Sequence, residues 1–293
     1  MDNKEEIKRL QVHLQRIAYR MLGSVSEAED VVQDVWLRWH GADQSAVENA
    51  EAWLVSTTIR RSIDLLRAAK TRREQYVGIW LPEPVLSEAP DSPERLQEMS
   101  GDISVALLVL LERLSPETRA AFLLREVFDA EYSEVASALG KTEAACRQIV
   151  HRAKAQLNQE RTRYLVAPED HQRLMKRFAD ALSGGDFRGL KAMLAEKATL
   201  VGDGGGIVNS FKEPMRGGER IAQLFYAPSL RNAQDMRIQL AWINDRWGVL
   251  RFFNDKLESV QSYETDGERI TEVYVQRNPE KLKRVEAALA RRR

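Results

Sequence analysis

Residues 132–158, YSEVASALGKTEAACRQIVHRAKAQLN, decide the fold of the middle of the chain. Eight residues with helical periodicity end at Gly140, and Thr142 can cap a second, longer helix. A short helix, a glycine at the corner and a second helix with free backbone donors at its start are typical of a helix–turn–helix. The second helix of that motif fits the major groove of DNA. The alternative is a basic, solvated helix of an α-helical bundle.

The second helix of this motif carries residue types that read DNA. Spacing of i, i+4 gives a shared outer face to Arg147, Gln148, His151 and Arg152. Arginine reads guanine through two hydrogen bonds and glutamine reads adenine, whereas Lys154 is better suited to backbone charge. The capped start of the helix at Thr142 favours a phosphate. Cys146, among these residues, is expected to pack rather than to react.

Three helices are predicted in the first 75 residues, and two more, which start near Ile103 and at Pro116, precede the helix–turn–helix. Apolar residues recur at helical spacing from Ile7 to Met21, and Gly23 ends the run. Ser26 is expected to cap the second helix, because acids follow in its first turn. Asn49 can cap the third helix, which turns a basic block outward.

Charge is segregated along the chain although its formal net charge is zero. Residues 56–75 and 140–163 each carry six lysines and arginines against two acids, whereas residues 82–102 carry six acids against one arginine. Two basic segments of this kind indicate a nucleic-acid partner. Four prolines lie in the acidic segment, which predicts a linker: Pro82, Pro84, Pro90 and Pro93.

The composition limits the classes of protein to which this chain can belong. A chain of 293 residues predicts two or three domains, and 43% hydrophobic with 30% charged residues is ordinary for globular protein. No apolar run approaches the ~20 residues of a membrane span, and the polar start MDNKEEIKRL lacks a secretory segment. The single cysteine fits a reducing compartment. We therefore expect a cytoplasmic protein without a membrane partner.

The pattern changes after about residue 166. Two helices are predicted, followed by strand-like alternation in which Met236, Ile238, Leu240 and Trp242 share one face. Asn244-Asp245 and Asp266-Gly267 are predicted hairpin turns. These features indicate a separate α+β domain.

Two interpretations remain for the acids of this last domain. Asp203 could act as a general base in an apolar pocket, with Asp235 and Asp245 as weaker candidates. The three glycines after Asp203 favour a turn instead, in which the aspartate binds its own backbone. Metal-ligand spacing, a phosphate-binding glycine loop and a nucleophile elbow are all missing from the sequence. We expect no metal, no cofactor and no enzyme activity.

Several stretches resemble extracytoplasmic-function sigma factors of bacterial RNA polymerase. AYRMLGSVSEAEDVVQDVWLRWH (residues 18–40) and EAWLVSTTIRRSIDLLRAAKTRRE (51–74) resemble sigma region 2. The stretch from LLERLSPETR to VHRAKAQL (110–157) resembles region 4. The resemblance covers roughly residues 5–162 and implies two partners, core RNA polymerase and promoter DNA.

The resemblance also implies roles for individual residues. The helix that grips the polymerase clamp would carry Asp30, Gln33, Asp34 and Trp36. The −10 element would be bound and melted by Asn49, Arg60, Arg61 and Arg67. The −35 element would be read by Thr142, Arg147, Gln148, His151, Arg152 and Lys154.

Residues 168–277 resemble the SnoaL-like domain, a conical α+β fold with an internal pocket. A subgroup of these sigma factors carries it in place of a separate anti-sigma factor, and three signatures mark that subgroup. The first is intact: Trp80, Leu81, Pro82, Glu83 and Pro84. The second keeps Asp203, Gly204, Gly205 and Gly206, but Ile207 replaces the family's lysine. The third comprises Asn278, Pro279, Glu280 (aspartate in the family), Lys281 and Leu282.

The expected architecture is therefore multidomain, with two all-α sigma domains and an α+β SnoaL-like conical barrel. We expect region 2 at 1–78, an acidic linker at 79–103, region 4 at 104–165, the SnoaL-like domain at 166–277 and a basic tail at 278–293. The third domain would regulate the sigma domains within the chain, directly or through a small-molecule ligand in its pocket. A ligand-responsive helix–turn–helix repressor and an enzyme on a DNA-binding scaffold are the alternatives.

Overall fold

The computed structural model describes residues 4–74, 76–89, 104–158, 166–232 and 234–291. The chain forms two compact units, one of Met1–Gln75 with Leu108–Thr162 and one of Tyr76–Leu107 with Arg163–Arg293. The first unit is helical and the second combines helices with a seven-stranded sheet. The predicted fold class is confirmed.

The first half of the helical unit consists of three helices and one turn of 3₁₀ helix. Their bounds are α1 Lys4–Leu22, α2 Val25–Gly41, the 3₁₀ turn Gln44–Ala46, and α3 Ala50–Glu74. Four residues of the predicted apolar stripe of α1 are buried, since Leu10, Leu14, Ile17 and Met21 are at most 2% exposed, whereas Ile7, in the first turn, is 40% exposed. The predicted cap of α2 is wrong. Ser24, not Ser26, begins the helix, because its hydroxyl accepts a hydrogen bond from Glu27 N.

The second half contains the helix–turn–helix. Its helices are α4 Val105–Leu111, where the chain returns to this unit, α5 Pro116–Glu126, α6 Tyr132–Leu139 and α7 Glu143–Asn158. Gly140 ends α6 in the left-handed conformation (φ 62°, ψ 39°), which a glycine adopts without strain. Arg119 of α5 is 3% exposed and donates to Met21 O at 2.6 Å and to Glu112 at 2.8 Å. The first of these bonds joins α5 to the end of α1, and the second joins it to the residue after α4.

The second unit is an α+β domain. Its helices are α8 Pro168–Gly184, α9 Phe187–Met193, α10 Gly218–Asn232 and α11 Pro279–Ala290. Its strands are β1 Leu86–Ser87, β2 Leu194–Asp203, β3 Met215–Arg216, β4 Met236–Ile243, β5 Arg246–Phe253, β6 Lys256–Thr265 and β7 Ile270–Gln276. The sheet order is β1-β4-β5-β6-β7-β2-β3, and only β2 and β7 pair in parallel.

The linker and the tail are both built into this domain. Within the predicted linker, β1 pairs with β4, so that Leu86 lies opposite Ile243 and Ser87 opposite Trp242. Linker residues 90–103 lie outside the described residues. The predicted tail is mostly helix α11, whose Leu282 is 3% exposed within an apolar cluster on the sheet.

Short turns connect the long antiparallel strands, with two residues between β4 and β5 and between β5 and β6, and four between β6 and β7. The predicted turn Asn244-Asp245 is confirmed by positive φ angles of 49° and 57°. The predicted turn at Asp266-Gly267 is also present, since Asp266 N donates to Arg269 O. A third turn, Asn254-Asp255 with φ angles of 47° and 58°, was not predicted. Short polar residues tolerate these angles better than other side chains do.

His171 of α8 predicts a pH dependence of the domain's stability. It is 4% exposed, its Nε2 lies 3.3 Å from Tyr263 O, and burial followed by the charge of Arg246 lowers its pKa to about 4. In the unfolded chain its pKa is near 6.5. Stability is therefore full above pH ~6.5 and falls as the pH drops toward 4, by about 3 kcal/mol by linkage.

Amide hydrogen exchange in β5–β7 checks this dependence, because protection there reports opening of the sheet. His171→Gln should remove this part of the pH dependence. His151→Gln, at an exposed histidine of α7, should leave it in place. Equal protection of His171→Gln and the natural chain across this pH range would contradict the assignment.

Candidate nucleic-acid, polymerase and regulatory sites

The recognition helix α7 presents its predicted side chains on one exposed face. Thr142 Oγ1 accepts from Ala145 N at 3.2 Å, which confirms the predicted cap. Arg147 pairs with Glu143 at 2.7 Å and lies 4.8 Å over the ring of Tyr132. These two contacts hold the guanidinium in one position on the exposed face of α7.

A surface groove of about 870 Å³ runs along this face. It gathers the predicted side chains Arg147, Gln148, His151, Arg152 and Lys154. Two residues that the sequence pattern did not indicate also line it, Tyr132 and Glu126, and Glu126 pairs with Lys154 at 2.7 Å. Cys146 is fully buried beneath the groove, where burial raises the pKa of its thiol. It packs and does not face a ligand.

Helix α2 exposes part of the predicted polymerase face. Asp30 and Gln33 are exposed, whereas Trp36 is half-buried and lies against the ring of His40. The Asp34 carboxylate instead pairs with Arg61 of α3 at 2.6 Å and with Arg38 at 3.2 Å. Leu37, which no sequence motif indicated, is 68% exposed and lies seven residues after Asp30, on the same side of the helix.

The basic residues of α3 contact region-4 helices. Arg60 donates to Ser137 O and Ala138 O, at the end of α6, at 3.1 and 3.2 Å. Arg67 pairs with Glu117 of α5 at 2.7 Å. The Asn49 side chain accepts from Ala52 N at 3.0 Å, so it caps α3. Each of these three side chains thus has a partner within the chain.

A buried carboxylate joins the three signature segments. Asp203, at the end of β2, is 0% exposed and accepts five hydrogen bonds. Oδ1 accepts from Tyr76 Oη at 2.7 Å and Gly205 N at 2.9 Å. Oδ2 accepts from Leu81 N at 2.9 Å, Gln276 Nε2 at 3.2 Å and Lys281 Nζ at 2.7 Å. We call these six residues the Asp203 cluster.

Lys281 supplies the cation of the Asp203 cluster. Its ammonium also donates to Leu81 O at 2.6 Å, and it lies 4.3 Å over Trp80 and 5.0 Å over Tyr76. Ile207, which stands where the family has lysine, is 61% exposed. The cation that faces Asp203 in this chain therefore comes from the third signature.

The linker is held at further points beside the Asp203 cluster. Gln276 Nε2 donates to Leu81 O and Pro82 O, and Asn278 Nδ2 donates to Tyr76 Oη. Burial, followed by the hydrogen bond to Asp203, raises the pKa of Tyr76, so the phenol keeps its proton and donates. Glu83 is 6% exposed and pairs with Arg284 of α11 at 3.3 Å.

Glycine is required after Asp203 because neighbouring atoms lie too close to the backbone to leave room for a side chain. A Cβ at Gly204 would overlap Val208 O, and one at Gly205 would overlap the Asn278 side chain. Gly205 and Gly206 also adopt positive φ angles of 65° and 72°. The turn predicted for this segment is present.

Asp203 is poorly suited to act as a general base. All five of its donors belong to this chain, and it does not line the cavity of the third domain. The weaker candidates Asp235 and Asp245 lie at turns, and Asp235 is exposed. Among the described residues, no group of three histidine, cysteine or acidic side chains could hold a metal ion. No helix in the described ranges is long and apolar enough to cross a membrane.

Comparison with known proteins identifies the helical modules. Residues 7–72 match the family model of sigma-70 region 2, and residues 104–157 match that of sigma-70 region 4. The ECF RNA polymerase sigma factor SigJ of Mycobacterium tuberculosis is 34% identical over 92% of this chain and 86% of its own length. The probable ECF sigma factor SigI of the same species is 33% identical over 62% of this chain and 63% of its own length.

A solved structure extends the similarity to the third domain. The crystal structure of the extracytoplasmic function sigma factor SigJ from Mycobacterium tuberculosis matches with a TM-score of 0.78 and 28% sequence identity. The match covers 96% of this chain and 98% of the other. With helical modules in the predicted order and a SnoaL-like third domain, the chain belongs to the extracytoplasmic-function RNA polymerase sigma factors.

Proposed function

We propose that this sigma factor is regulated from within its own chain, by a third domain that holds the linker between regions 2 and 4. As a member of its family, the chain directs core RNA polymerase to promoters for initiation of transcription. The observation that carries the regulatory proposal is the Asp203 cluster, which ties the linker residue Leu81, and Tyr76 just before the linker, to the third domain and α11. Regulation in this manner needs no separate anti-sigma factor.

The groove along α7 supports its proposed role in reading the −35 element. The groove is lined by two arginines, a glutamine and a histidine that could contact bases, and by Lys154, which could contact a phosphate. Arg147 rests on Tyr132 and pairs with Glu143, so DNA would replace only an exposed i, i+4 ion pair. Such a pair is worth about 0.3–0.5 kcal/mol, which a guanine contact exceeds.

Arg147→Ala should weaken binding to a −35 element by about 1–3 kcal/mol, or roughly 5- to 150-fold, and relax sequence preference at one or two base pairs. Lys154→Ala should weaken all promoters similarly and flatten the salt dependence, because it loses a phosphate contact. Footprinting of holoenzyme on a set of −35 variants, at several salt concentrations, separates the two effects. Unaltered preference in Arg147→Ala would show that another face reads the DNA.

The exposed residues of α2 support the proposed polymerase contact. Asp30 and Gln33 leave an acidic, polar surface beside the apolar Leu37, a combination suited to a protein partner with basic and apolar groups. Asp34 contributes through Arg61, which it holds in place. We include Leu37 in this face together with Asp30, Gln33, Asp34 and Trp36.

The −10 residues on α3 must change partners to bind DNA. Arg60 cannot donate to Ser137 O and Ala138 O while it contacts a phosphate, and the same holds for Arg67 and Glu117. Lys141 also pairs with Glu117 at 3.0 Å and, with Arg67, lowers the pKa of that carboxyl. We propose that separation of α3 from α5 and α6 precedes promoter melting by Arg60, Arg61, Arg67 and Asn49.

Promoter-specific transcription with core polymerase tests the function as a whole. The full chain should co-purify with core polymerase and initiate at a defined start site. A repressor would bind operator DNA without polymerase, and an enzyme would turn over a small ketone or polyketide-like substrate. Either of those results, without initiation, would replace the proposal.

A further inference from the structure

The third domain encloses a cavity of about 420 Å³, which is within the ~300–1,000 Å³ range of small-molecule sites. Its wall is mostly apolar and includes the rings of Phe211, Phe225 and Phe253. Three charged side chains enter this wall, Arg251, Glu258 and Arg277. A mainly apolar cavity with a few convergent charges is typical of a binding site for an amphiphilic molecule.

The three charges leave the cavity with one excess positive charge. Glu258 pairs with Arg251 through one oxygen and with Arg277 through the other, each at 2.7 Å. Burial alone would raise the pKa of Glu258, but the hydrogen bond and charge of Arg251 and the charge of Arg277 lower it. The carboxylate is therefore ionised and neutralises one guanidinium of the two.

Arg277 is held through both of its Nη groups, which reach Glu258 and Asn209 O. These contacts fix its guanidinium at the cavity wall. The cavity thus offers an anion a net positive charge at a fixed place.

We propose that this cavity binds a small amphiphilic monoanion, a carboxylic acid whose apolar ring or chain lies against the phenylalanines while its carboxylate meets Arg251 and Arg277. The charge of such a ligand is equal in size and opposite in sign to the excess charge of the site. A guanidinium binds a carboxylate through two parallel N–H groups, which gives the acid an advantage over a neutral molecule of the same shape.

The cavity and the Asp203 cluster share the same two strand ends. Successive residues of a strand point to opposite faces. Gly202 and Val275 are paired and line the cavity, and the next pair, Asp203 and Gln276, belongs to the Asp203 cluster. Arg277 then lines the cavity again, while its backbone N donates to Asp203 O at 2.7 Å.

An acid bound at Arg277 therefore stabilises the strand ends that hold the linker. This coupling rests on the proposed function, whereas the binding site itself does not. A ligand that binds only the ordered strand ends opposes their opening, and so protects the linker.

Binding is tested on the full chain with 2-naphthoate as the probe and with 2-naphthylmethanol, its neutral analogue. Calorimetry should show naphthoate binding at least tenfold tighter than the alcohol. Arg251→Gln should remove most of that tenfold advantage and leave binding of the alcohol unchanged. Arg220→Gln, which removes an exposed arginine of α10, is the matched control and should change neither affinity.

Glu258→Gln provides a variant with the opposite sign. It leaves two guanidinium groups without their carboxylate, so naphthoate should bind several-fold tighter than to the natural chain. A misfolded variant would bind naphthoate more weakly, so tighter binding cannot be an effect of misfolding. Equal affinity for acid and alcohol, no binding of either, or weaker binding in Glu258→Gln would overturn the proposal.

The coupling is tested by limited proteolysis of the linker in the same chain. Naphthoate should slow cleavage several-fold in the natural chain. Trp80→Ala removes the ring that lies against Lys281 and so weakens the attachment of the linker to the third domain. Naphthoate should still bind this variant with the affinity that it has for the natural chain. Binding without protection would overturn the coupling but keep the site, whereas protection that fails only in Trp80→Ala supports both.

Discussion

Asp203→Ala is expected to destabilise the third domain by about 3–5 kcal/mol and to release the linker. The substitution leaves Lys281, whose side chain is 15% exposed, without its carboxylate partner. Removal of one member of a buried ion pair costs about 3–5 kcal/mol, because the remaining charge is desolvated and uncompensated. Leu81 N and Tyr76 Oη lose their acceptor at the same time.

Two further variants separate charge from shape. Asp203→Asn keeps the size of the side chain but still leaves Lys281 uncompensated, so it should be nearly as damaging as alanine. The double variant Asp203→Asn, Lys281→Met removes both charges and should recover part of the loss, since a buried pair replaced as a whole costs little. Asp180→Ala, at an exposed aspartate of α8, is the matched control and should stay within ~0.5 kcal/mol.

The measurements are urea unfolding of the full chain, proteolysis of the linker and promoter-dependent transcription with core polymerase. Asp203→Ala should be cleaved faster in the linker and should differ from the natural chain in transcription. If linker cleavage and transcription both stay unchanged while the domain is destabilised, the third domain does not regulate through the linker. An unchanged stability would contradict the geometry of the Asp203 cluster itself.

Gly204→Ala is the second large effect we expect, a loss of about 3 kcal/mol. The new Cβ would overlap the carbonyl oxygen of Val208 and touch Cβ of Ser210 at 3.0 Å. A backbone atom cannot move aside as a flexible side chain can, so the loop after β2 must shift. Overpacking of this kind costs ~1–3 kcal/mol and sometimes more.

Gly184→Ala is the matched control for this glycine. Nothing lies within 4 Å of a Cβ there, and the residue is in helix α8. Because alanine is the better helix former by ~1 kcal/mol, this variant should be neutral or slightly more stable. Thermal unfolding of both variants tests this difference in stability. Equal melting temperatures would show that Val208 O does not restrict the side chain at position 204.

The helical modules could be predicted because their signals are local. The cap at Thr142 and the left-handed corner at Gly140 lie two residues apart, and hydrophobic periodicity indicates the flanking helices. The prediction of Ser26 as the cap of α2 was wrong because it, too, depended on local signals alone. Ser24 and Ser26 each precede an acid by three residues, and propensity does not distinguish two serines that lie so close.

The Asp203 cluster depends on contacts that sequence spacing cannot provide. Tyr76 and Lys281 reach Asp203 from positions far away in the chain, on either side of it. The resemblance named the three segments but not their common carboxylate, and Ile207 obscured the source of the cation. The cavity was missed because Arg251, Glu258 and Arg277 belong to different segments and carry no motif.

The two-residue strand β1 has a consequence for the solubility of the chain. It covers the backbone of Trp242 and Ile243, and Val85 and Asn244 exchange two further hydrogen bonds beside it. When the linker leaves, β4 becomes a bare edge whose unpaired N–H and C=O groups can recruit a strand from another molecule. The paired linker therefore also reduces self-association. In a chain whose linker is released, binding of polymerase competes with association with a second copy through β4.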